Sequence, residues 1–206
     1  MQKIMFNDRY GLTQAAIEGR KTMTRRLEFD DELQQLVTDS DSYYYDDGYL
    51  VFATQGVDIH HVKTRYKIGE VVAVAQSYEQ AGIQSWAYLS RPEIDGYQII
   101  STHKGWRNKM YVRADLMPHQ IRITGIRCER VQDISNEDCL EDGITDSIYV
   151  NCHGKPTALF SMGDRKDEGE FSTPREAFAA LIDRVLGRGT WDRNPWVIVY
   201  EFELVK

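Results

Sequence analysis

The sequence predicts an α+β protein built on a small mixed β-barrel, with a few flanking helices and long insertions. Short apolar or alternating runs, which favour strands, dominate the 206 residues, whereas only a few stretches carry helix signals. Strands and helices do not alternate as repeated units, which argues against a doubly wound sheet. We therefore expect one domain over residues 1–206, with insertions at 28–65, 80–108 and 145–172, the last with little periodicity and expected to be mobile.

Two kinds of pattern support the predicted strands. Residues 71–75 form a continuous apolar run, which is typical of a buried strand. Residues 120–124 alternate strictly, and Gly125 shifts the phase, which predicts a β-bulge. Further strands are predicted at 3–6 and 196–205, and a hairpin with a turn at Asp47-Gly48 is predicted within 43–52.

Three stretches have helix start and stop signals. A Ser or Thr at the N-cap accepts a hydrogen bond from the first turn, and Gly often ends a helix. The third stretch also has Pro at its first position and Glu three residues after the cap. The N-cap and stop residues are Thr13 and Gly19, Ser135 and Gly143, and Thr173 and Gly187.

Composition limits the class of protein. The chain is 42% apolar and 28% charged, as in ordinary globular proteins. No apolar run approaches the roughly 18–20 residues of a membrane span, and the first residues do not form a signal peptide. We therefore expect a cytoplasmic protein with no membrane partner. The sequence does not indicate an oligomeric state.

Cysteines and histidines do not form a recognisable metal-binding motif. Cys128, Cys139 and Cys152 are odd in number and widely spaced, so reduced thiols are expected rather than disulfides. The neighbours Cys152 and His153 are far from a full ligand set. We therefore expect no structural metal, and a metal-dependent nuclease has little support.

Net charge argues against bulk binding to nucleic acid. The formal charge is −7 and the pI about 5.3. Proteins that coat nucleic acid depend on many cationic contacts with phosphate. Any contact with nucleic acid is therefore expected to be local.

The most distinctive segment is residues 19–26, which we call the basic segment. Its sequence, Gly-Arg-Lys-Thr-Met-Thr-Arg-Arg, places four cationic side chains and two hydroxyls in an otherwise acidic chain. We expect it on connecting backbone just past a helix end, where side chains can converge on a ligand without disturbing a core. An anion-facing site is predicted here. A solvated basic turn is the alternative.

Five stretches carry a resemblance to a known family, in this order along the chain: residues 16–26, 66–71, 126–135, 140–144 and 191–202. Together they resemble the ASCH domain family. Members of that family have a PUA-like β-barrel fold, which the resemblance implies for this chain. The aromatic, Asp/Gly-rich hairpin at 43–52 is similar to that of the phage and prophage branch.

The resemblance implies binding of RNA, or of a modified nucleobase or nucleoside, in a cleft lined by the basic segment. It implies no cofactor. Nearby aromatic residues would also contact the ligand. The implied ligand-binding residues are Gly19, Arg20, Lys21, Arg25, Arg26 and Tyr78.

A second function implied by the resemblance is an amidohydrolase. Small ASCH enzymes that deacetylate N-acetylated cytidine use a Lys, a Thr three residues later and a Glu. The matching positions here are Lys21, Thr24 and Asp142. Asp142 is one methylene shorter than the family Glu, and the adjacent Glu141 is another candidate. The difference matters because a displacement of about 1 Å can reduce a rate on the order of a hundredfold.

The chemistry of these three residues is coherent. A threonine hydroxyl needs a base to remove its proton, and a lysine is such a base only when neutral. Burial and positive neighbours lower a lysine pKa, and the arginines of the basic segment would supply that charge. Asp142 would orient Lys21 or protonate the leaving amine.

Binding without catalysis is the leading hypothesis, and two further roles of these residues stay open. Lys21 and Arg26 would instead pair with Asp142 and Glu129 in a structural ion network. Alternatively, Arg26 would hold a phosphate or carboxylate through two parallel hydrogen bonds.

Overall fold

Strand and helix patterns in the sequence produce a mixed α+β fold, as predicted. The structure, a computed structural model, describes residues 1–91, 96–150 and 156–205. The strands are β1 (Lys3–Ile4), β2 (Met23–Arg26), β3 (Ser42–Asp46), β4 (Tyr49–Thr54), β5 (Val57–Lys63), β6 (Val71–Val74), β7 (Tyr88–Arg91), β8 (Gly96–Ile99), β9 (Gln120–Arg130), β10 (Thr145–Val150), β11 (Pro156–Ser161) and β12 (Trp196–Leu204). The α-helices are α1 (Leu12–Ile17), α2 (Asp31–Asp39), α3 (Asn136–Glu141), α4 (Pro174–Leu186) and α5 (Thr190–Arg193).

A five-stranded sheet forms the centre of the fold, in the order β1-β6-β9-β12-β2. β1 runs parallel to β6, and the other neighbours are antiparallel. Side chains of β6 and of the first half of β12 are buried on both faces of the sheet, whereas β9 alternates between buried apolar residues and more exposed polar ones. Within the described ranges no pairing joins β1 to β2, so the expected closed barrel is not found. The two edge strands are short, and each pairs on one side only.

The predicted bulge at Gly125 is confirmed. Glu201 of β12 faces Gly125, whereas the next residue, Phe202, faces Ile123, so Thr124 is the extra residue. The bulge keeps Ile123 and Ile126 facing the core on either side of the phase shift. Gly125 also allows the close approach of Glu201, whose carboxylate lies where a side chain would begin.

Residues 28–65 contain more regular structure than the sequence analysis predicted. The hairpin of β3 and β4 is confirmed, with positive φ at both Asp47 and Gly48, as its tight turn requires. A third strand, β5, and the helix α2 were missed. The sequence did contain a helix signal, because Asp30 caps α2 and Leu33 and Val37 follow at helical spacing. The many acidic residues of this region obscured that pattern.

Residues 145–172, which show little periodicity in the sequence and were expected to form a mobile insertion, contain a regular hairpin. β10 and β11 pair over six residues, and Phe160 also bridges Phe171. Polar residues and glycines hid this hairpin, because most of its side chains face outward and show no alternating burial. Residues 151–155, which include Cys152 and His153, lie outside the described residues.

The remaining helices follow their caps. Ser135 caps α3 by accepting a hydrogen bond from Asp138, and Thr173 and Glu176 form a capping box at α4. Thr13 lies inside α1 rather than at its N-cap, which is Gly11, and its hydroxyl donates to Asp8. Among the described residues no helix combines the length and apolar character needed to cross a bilayer.

Removing the cap of α4 is expected to destabilise the fold. Thr173→Ala loses the hydroxyl that accepts from Glu176, so the free energy of unfolding should fall by about 1 kcal/mol. Ser172→Ala is the matched control, because Ser172 contributes only its backbone N–H to Glu176. Urea unfolding of both variants checks the prediction. Equal stabilities would contradict it.

Cys128 and Cys139 are expected to be unreactive in the folded protein. Both are buried, and burial raises the pKa of each thiol to about 12. In a Cys152→Ser variant, a thiol reagent at pH 8 should react slowly with the native chain and label both cysteines rapidly in denaturant. Rapid labelling of the native variant would show that these thiols are accessible.

Candidate functional site

The basic segment is divided between connecting backbone and a buried strand. α1 ends at Ile17, and Gly19 turns the chain with a φ of 72°. Residues 23–26 then form β2, with Thr24 opposite Tyr200 of β12. The expectation that the whole segment is connecting backbone is therefore wrong. Pairing with β12 satisfies the backbone groups on one side of β2, a tertiary effect that the charged side chains did not reveal.

Lys21 lies buried against the end of α3. Its Nζ donates to the carbonyl oxygen of Asp142 at 2.6 Å and to the Asp142 carboxylate. The N–H of Thr22 also donates to the Glu141 carbonyl at 2.9 Å. The start of β2 is thus attached to the helix end by backbone and side-chain contacts. Lys21 and Asp142, paired in the sequence analysis, are adjacent in the structure.

Arg25 extends this ion pair into a network. Its guanidinium contacts the second oxygen of Asp142 at 3.0 Å, Glu129 at 2.7 Å and Asp138 at 2.8 Å. Arg127 binds the same Glu129 and Asp138 from the other side. The structural network considered from sequence is therefore present for Lys21 and Asp142. Glu129, however, pairs with Arg25 and Arg127 rather than with Arg26.

Burial lowers the pKa of Lys21. Desolvation is the largest cause, and the charges of Arg26 and Arg25 act in the same direction, whereas Asp142 opposes them. The net direction agrees with the lysine chemistry considered from sequence. Arg20 does not take part, because it is exposed and pairs with Glu18 at 2.6 Å.

Thr24 lies on β2 beside these groups. It is buried, and strand alternation places it on the face of Arg26 rather than that of Arg25. Within the described residues its hydroxyl is in no hydrogen bond. The structure thus joins Lys21 to Asp142 and leaves the Thr24 hydroxyl without a protein partner in the described ranges.

Arg26 is partly committed to the protein. Its Nη2 donates to the Met5 carbonyl at 2.6 Å, and its guanidinium carbon lies 5.8 Å from the centre of the Phe6 ring. Lys21 Nζ lies 5.5 Å from the same ring. Arg26 Nε, by contrast, is buried and has no hydrogen-bond partner in the described part of the chain.

Gln76 contributes a second buried polar atom of this kind. It follows β6, whereas Phe6 follows β1 at the same end of the two paired strands. Gln76 is 8% exposed, and its Oε1 has no hydrogen-bond partner among the described residues. Gln76 was not predicted from the sequence as a site residue. The sequence signal for it is a polar residue placed directly after the apolar run at 71–75.

A polar cavity of about 240 Å³ lies beside Gln76. One wall is held by Lys109, whose Nζ donates to Asp8, to Thr13 and to the Phe6 carbonyl. The cavity therefore lies close to the backbone of Phe6, whose ring Lys21 and Arg26 approach. Its lining residues are Asp8, Gly11, Thr13, Gln14, Gln76 and Gln80.

Tyr78 is placed in the core rather than at a ligand surface. Its side chain is fully buried, and its hydroxyl accepts a hydrogen bond from the Arg113 N–H at 3.0 Å. Its ring packs against His103 at a centroid distance of 5.7 Å. Tyr78 therefore positions the segment around Arg113 and presents no surface to a ligand in this arrangement.

Metal ligands and known relatives provide no further indication of function. In residues 1–91, 96–150 and 156–205, no group of three or more His, Cys, Asp or Glu side chains is arranged to hold a metal ion. No family model, no curated protein and no solved structure matches the chain. The function must therefore be inferred from the site itself.

Breaking the buried ion pair is expected to destabilise the protein strongly. Asp142→Asn leaves Lys21 and Arg25 buried with one anion fewer, so unfolding free energy should fall by about 3 kcal/mol. Glu141→Gln is the control, because Glu141 is exposed and accepts only from Thr22. Urea unfolding at neutral pH compares the two variants. Similar losses would show that burial of the pair is not the determining feature.

The loss caused by Asp142→Asn should depend on pH. Asp142 raises the pKa of Lys21, so its removal lowers that pKa further in the folded state. The unfolded chain, with an ordinary lysine, then binds more protons than the folded chain, and stability rises with pH. The deficit relative to the parent protein should therefore shrink as pH increases above neutral. A constant deficit across this range would contradict the assignment.

Proposed function

We propose that the protein binds RNA, or a modified nucleobase or nucleoside, in a cleft between the basic segment and the cavity beside Gln76. The observation that carries this proposal is the pair of buried atoms Arg26 Nε and Gln76 Oε1, a donor and an acceptor without partners in the described residues. An unsatisfied buried polar group costs about 1–3 kcal/mol. A ligand that offers one acceptor and one donor would offset both costs.

The chemistry of a nucleobase fits these groups. Base edges carry hydrogen-bond donors and acceptors side by side, and the amide of Gln76 can pair with such an edge. The cavity of about 240 Å³ suits a single base better than an extended ligand. The Phe6 ring is buried against Phe202 and lies close to the cations Lys21 and Arg26, so it helps to position them. Recognition would thus rest on hydrogen bonds.

The resemblance to the ASCH family supports the same class of ligand. It also leads us to propose the finer description of the fold, a PUA-like small mixed barrel in which β1 and β2 are the edges that closure would bring together. Among the residues implied as contacts, Arg20 is exposed and suited to a phosphate, whereas Arg25 is held by three acids. Arg25 would therefore support the cleft from within.

Ligand titration tests the proposal. The probes are the four common ribonucleosides, acetylcytidine and a short single-stranded RNA, each titrated by calorimetry. Gln76→Ala should weaken binding about tenfold, the equivalent of a lost hydrogen bond of about 1.4 kcal/mol. Arg26→Lys should weaken it similarly, because lysine keeps the charge but lacks Nε.

Gln35→Ala is the matched control for this titration. Gln35 lies exposed on α2, where its amide donates to Asp39, so its loss should leave affinity unchanged. Absence of saturable binding for every probe would refute the proposal. Equal affinities of the parent protein and Gln76→Ala would refute the placement of the cleft.

A second candidate function is hydrolysis of an acetylcytidine-like amide. The contact of Lys21 with Asp142 and the lowered pKa of Lys21 favour it. Neutral Lys21 would take the proton of the Thr24 hydroxyl as its oxygen attacks the acyl carbon. The amide C–N bond then breaks, and the amine leaves with the proton that Lys21 took from Thr24, delivered directly or relayed through the Asp142 carboxylate. Water would hydrolyse the acyl-threonine to release acetate and restore the hydroxyl.

Paired Thr24 variants test this reaction without disturbing the buried ion pair. Thr24→Ser keeps a hydroxyl and should retain turnover, whereas Thr24→Val keeps the shape and should abolish it. The readout is formation of cytidine from acetylcytidine, separated by chromatography. Absence of turnover in the parent protein, or turnover that survives Thr24→Val, would exclude this mechanism.

A further inference from the structure

The hairpin of β7 and β8 exposes aromatic residues on one face. Tyr88 pairs with Ile99, and Tyr97 lies opposite Ser90, so Tyr88 and Tyr97 are diagonal neighbours on the same face. Leu89 points to the opposite face and is buried. Trp86 lies in the turn that precedes β7, beside the hairpin. We call the three exposed residues Trp86, Tyr88 and Tyr97 together the aromatic face.

The exposure of the aromatic face is exceptional for this protein. Trp86, Tyr88 and Tyr97 are 70%, 68% and 76% exposed, more than any other aromatic side chain in the described ranges. Strand aromatics usually pack on a neighbouring element, as Phe52 does in β4, where it is buried. Three exposed aromatic rings on and beside the β7–β8 hairpin indicate a surface that contacts a partner.

Basic residues lie along the chain that supports this ribbon. Backbone bonds from Ile100 to Ala87 and from Ser101 to Ser85 connect the base of the hairpin to the segment that follows it. That segment is locally basic in a chain of net charge −7. Its charged residues up to position 115 are Lys104, Arg107, Lys109 and Arg113, against Asp115.

The stretch that contains Lys104, Arg107 and Lys109 also reaches the cavity. Lys109 donates to Asp8 and Thr13 in the cavity wall, whereas Lys104 and Arg107 are exposed. Gln80, also in that wall, is six residues before Trp86. The N–H groups of Tyr78 and Glu79 donate to the carbonyls of Gly105 and Trp106, so Lys104 and Arg107 lie beside the chain that leads from the cavity to the aromatic face. Aromatic rings and nearby cations are the two components of surfaces that bind single-stranded nucleic acid.

We infer that the aromatic face is a stacking platform for single-stranded RNA, whose backbone passes Lys104 and Arg107 towards the cavity beside Gln76. Aromatic rings stack on bases of any sequence, and nearby cations contact the phosphates. The choice of RNA as the polynucleotide rests on the function proposed above. A second copy of the chain fits the surface less well, because a two-fold contact would bring Lys104 and Arg107 of both copies to one interface, where their like charges repel.

Binding of a labelled RNA tests the inference. The probe is an unstructured oligouridine of about 12 nucleotides, within the site sizes of single-strand binding proteins. Fluorescence anisotropy with the full chain should give saturable binding that weakens with salt. The double variant Trp86→Ala, Tyr97→Ala should weaken it at least about tenfold, because stacking contributes about 1–3 kcal/mol per base.

Two controls separate stacking from general effects. Tyr49→Ala removes an aromatic side chain that is also exposed on a hairpin, β3–β4, and should leave RNA affinity unchanged. Oligodeoxyuridine of the same length should bind more weakly than the RNA. Unchanged RNA affinity in the double variant would overturn the inference, and equal affinity for the DNA would overturn the choice of RNA.

The outcomes also separate this inference from the proposed cleft. The double variant should bind free nucleoside with the affinity of the parent protein, whereas Gln76→Ala should bind it about tenfold more weakly. Loss of nucleoside binding in the double variant would place the rings in the cleft and overturn a separate platform. If the double variant without RNA sediments at a lower mass than the parent protein, and its RNA affinity is unchanged, the aromatic face is a self-association surface instead. Ring-dependent RNA binding without any nucleoside binding would overturn the cleft alone.

Discussion

The buried ion pair of Lys21 and Asp142 is the constraint on which the site depends. It connects the start of β2 to the end of α3, and its two residues are 121 positions apart in sequence. Removing two charges from water costs several kcal/mol per ion, and only close contacts and further hydrogen bonds offset that cost. Arg25 provides such a contact at the second carboxylate oxygen. The position of β2, and with it that of Arg26 and Thr24, follows from this pairing.

The ion network also explains how an acidic chain uses a basic segment. Arg25 is surrounded by acids, and Arg127 continues the alternation of charge to Glu201 near the surface. These cations therefore form ion pairs within the protein and do not form an exposed anion-binding patch. The recognition that we propose relies on two of the buried polar atoms without partners in the described residues, Arg26 Nε and Gln76 Oε1, and on aromatic rings. The net charge of −7 is compatible with such local recognition.

Local sequence signals predicted much of the fold. They failed where the burial of a side chain depends on elements that are distant in sequence. The β6 run, the Gly125 bulge and the Thr173 cap were readable because each depends on neighbouring residues. The hairpin of β10 and β11 was not, because its outward side chains carry no burial pattern. In the site, Lys21 and Asp142 were paired through a resemblance. Gln76 was missed because the absence of a partner for its amide oxygen is visible only in three dimensions.

By itself, the sequence determined the class of the fold, its main strands and capped helices, and the concentration of cations at residues 19–26. These properties follow from periodicity, capping and composition, which act over a few residues. Only the tertiary structure decided that Lys21 and Arg25 are buried, that Tyr78 belongs to the core and that the rings of the aromatic face are exposed. The physical reason is that desolvation depends on which distant elements cover a side chain, and local sequence does not specify that cover.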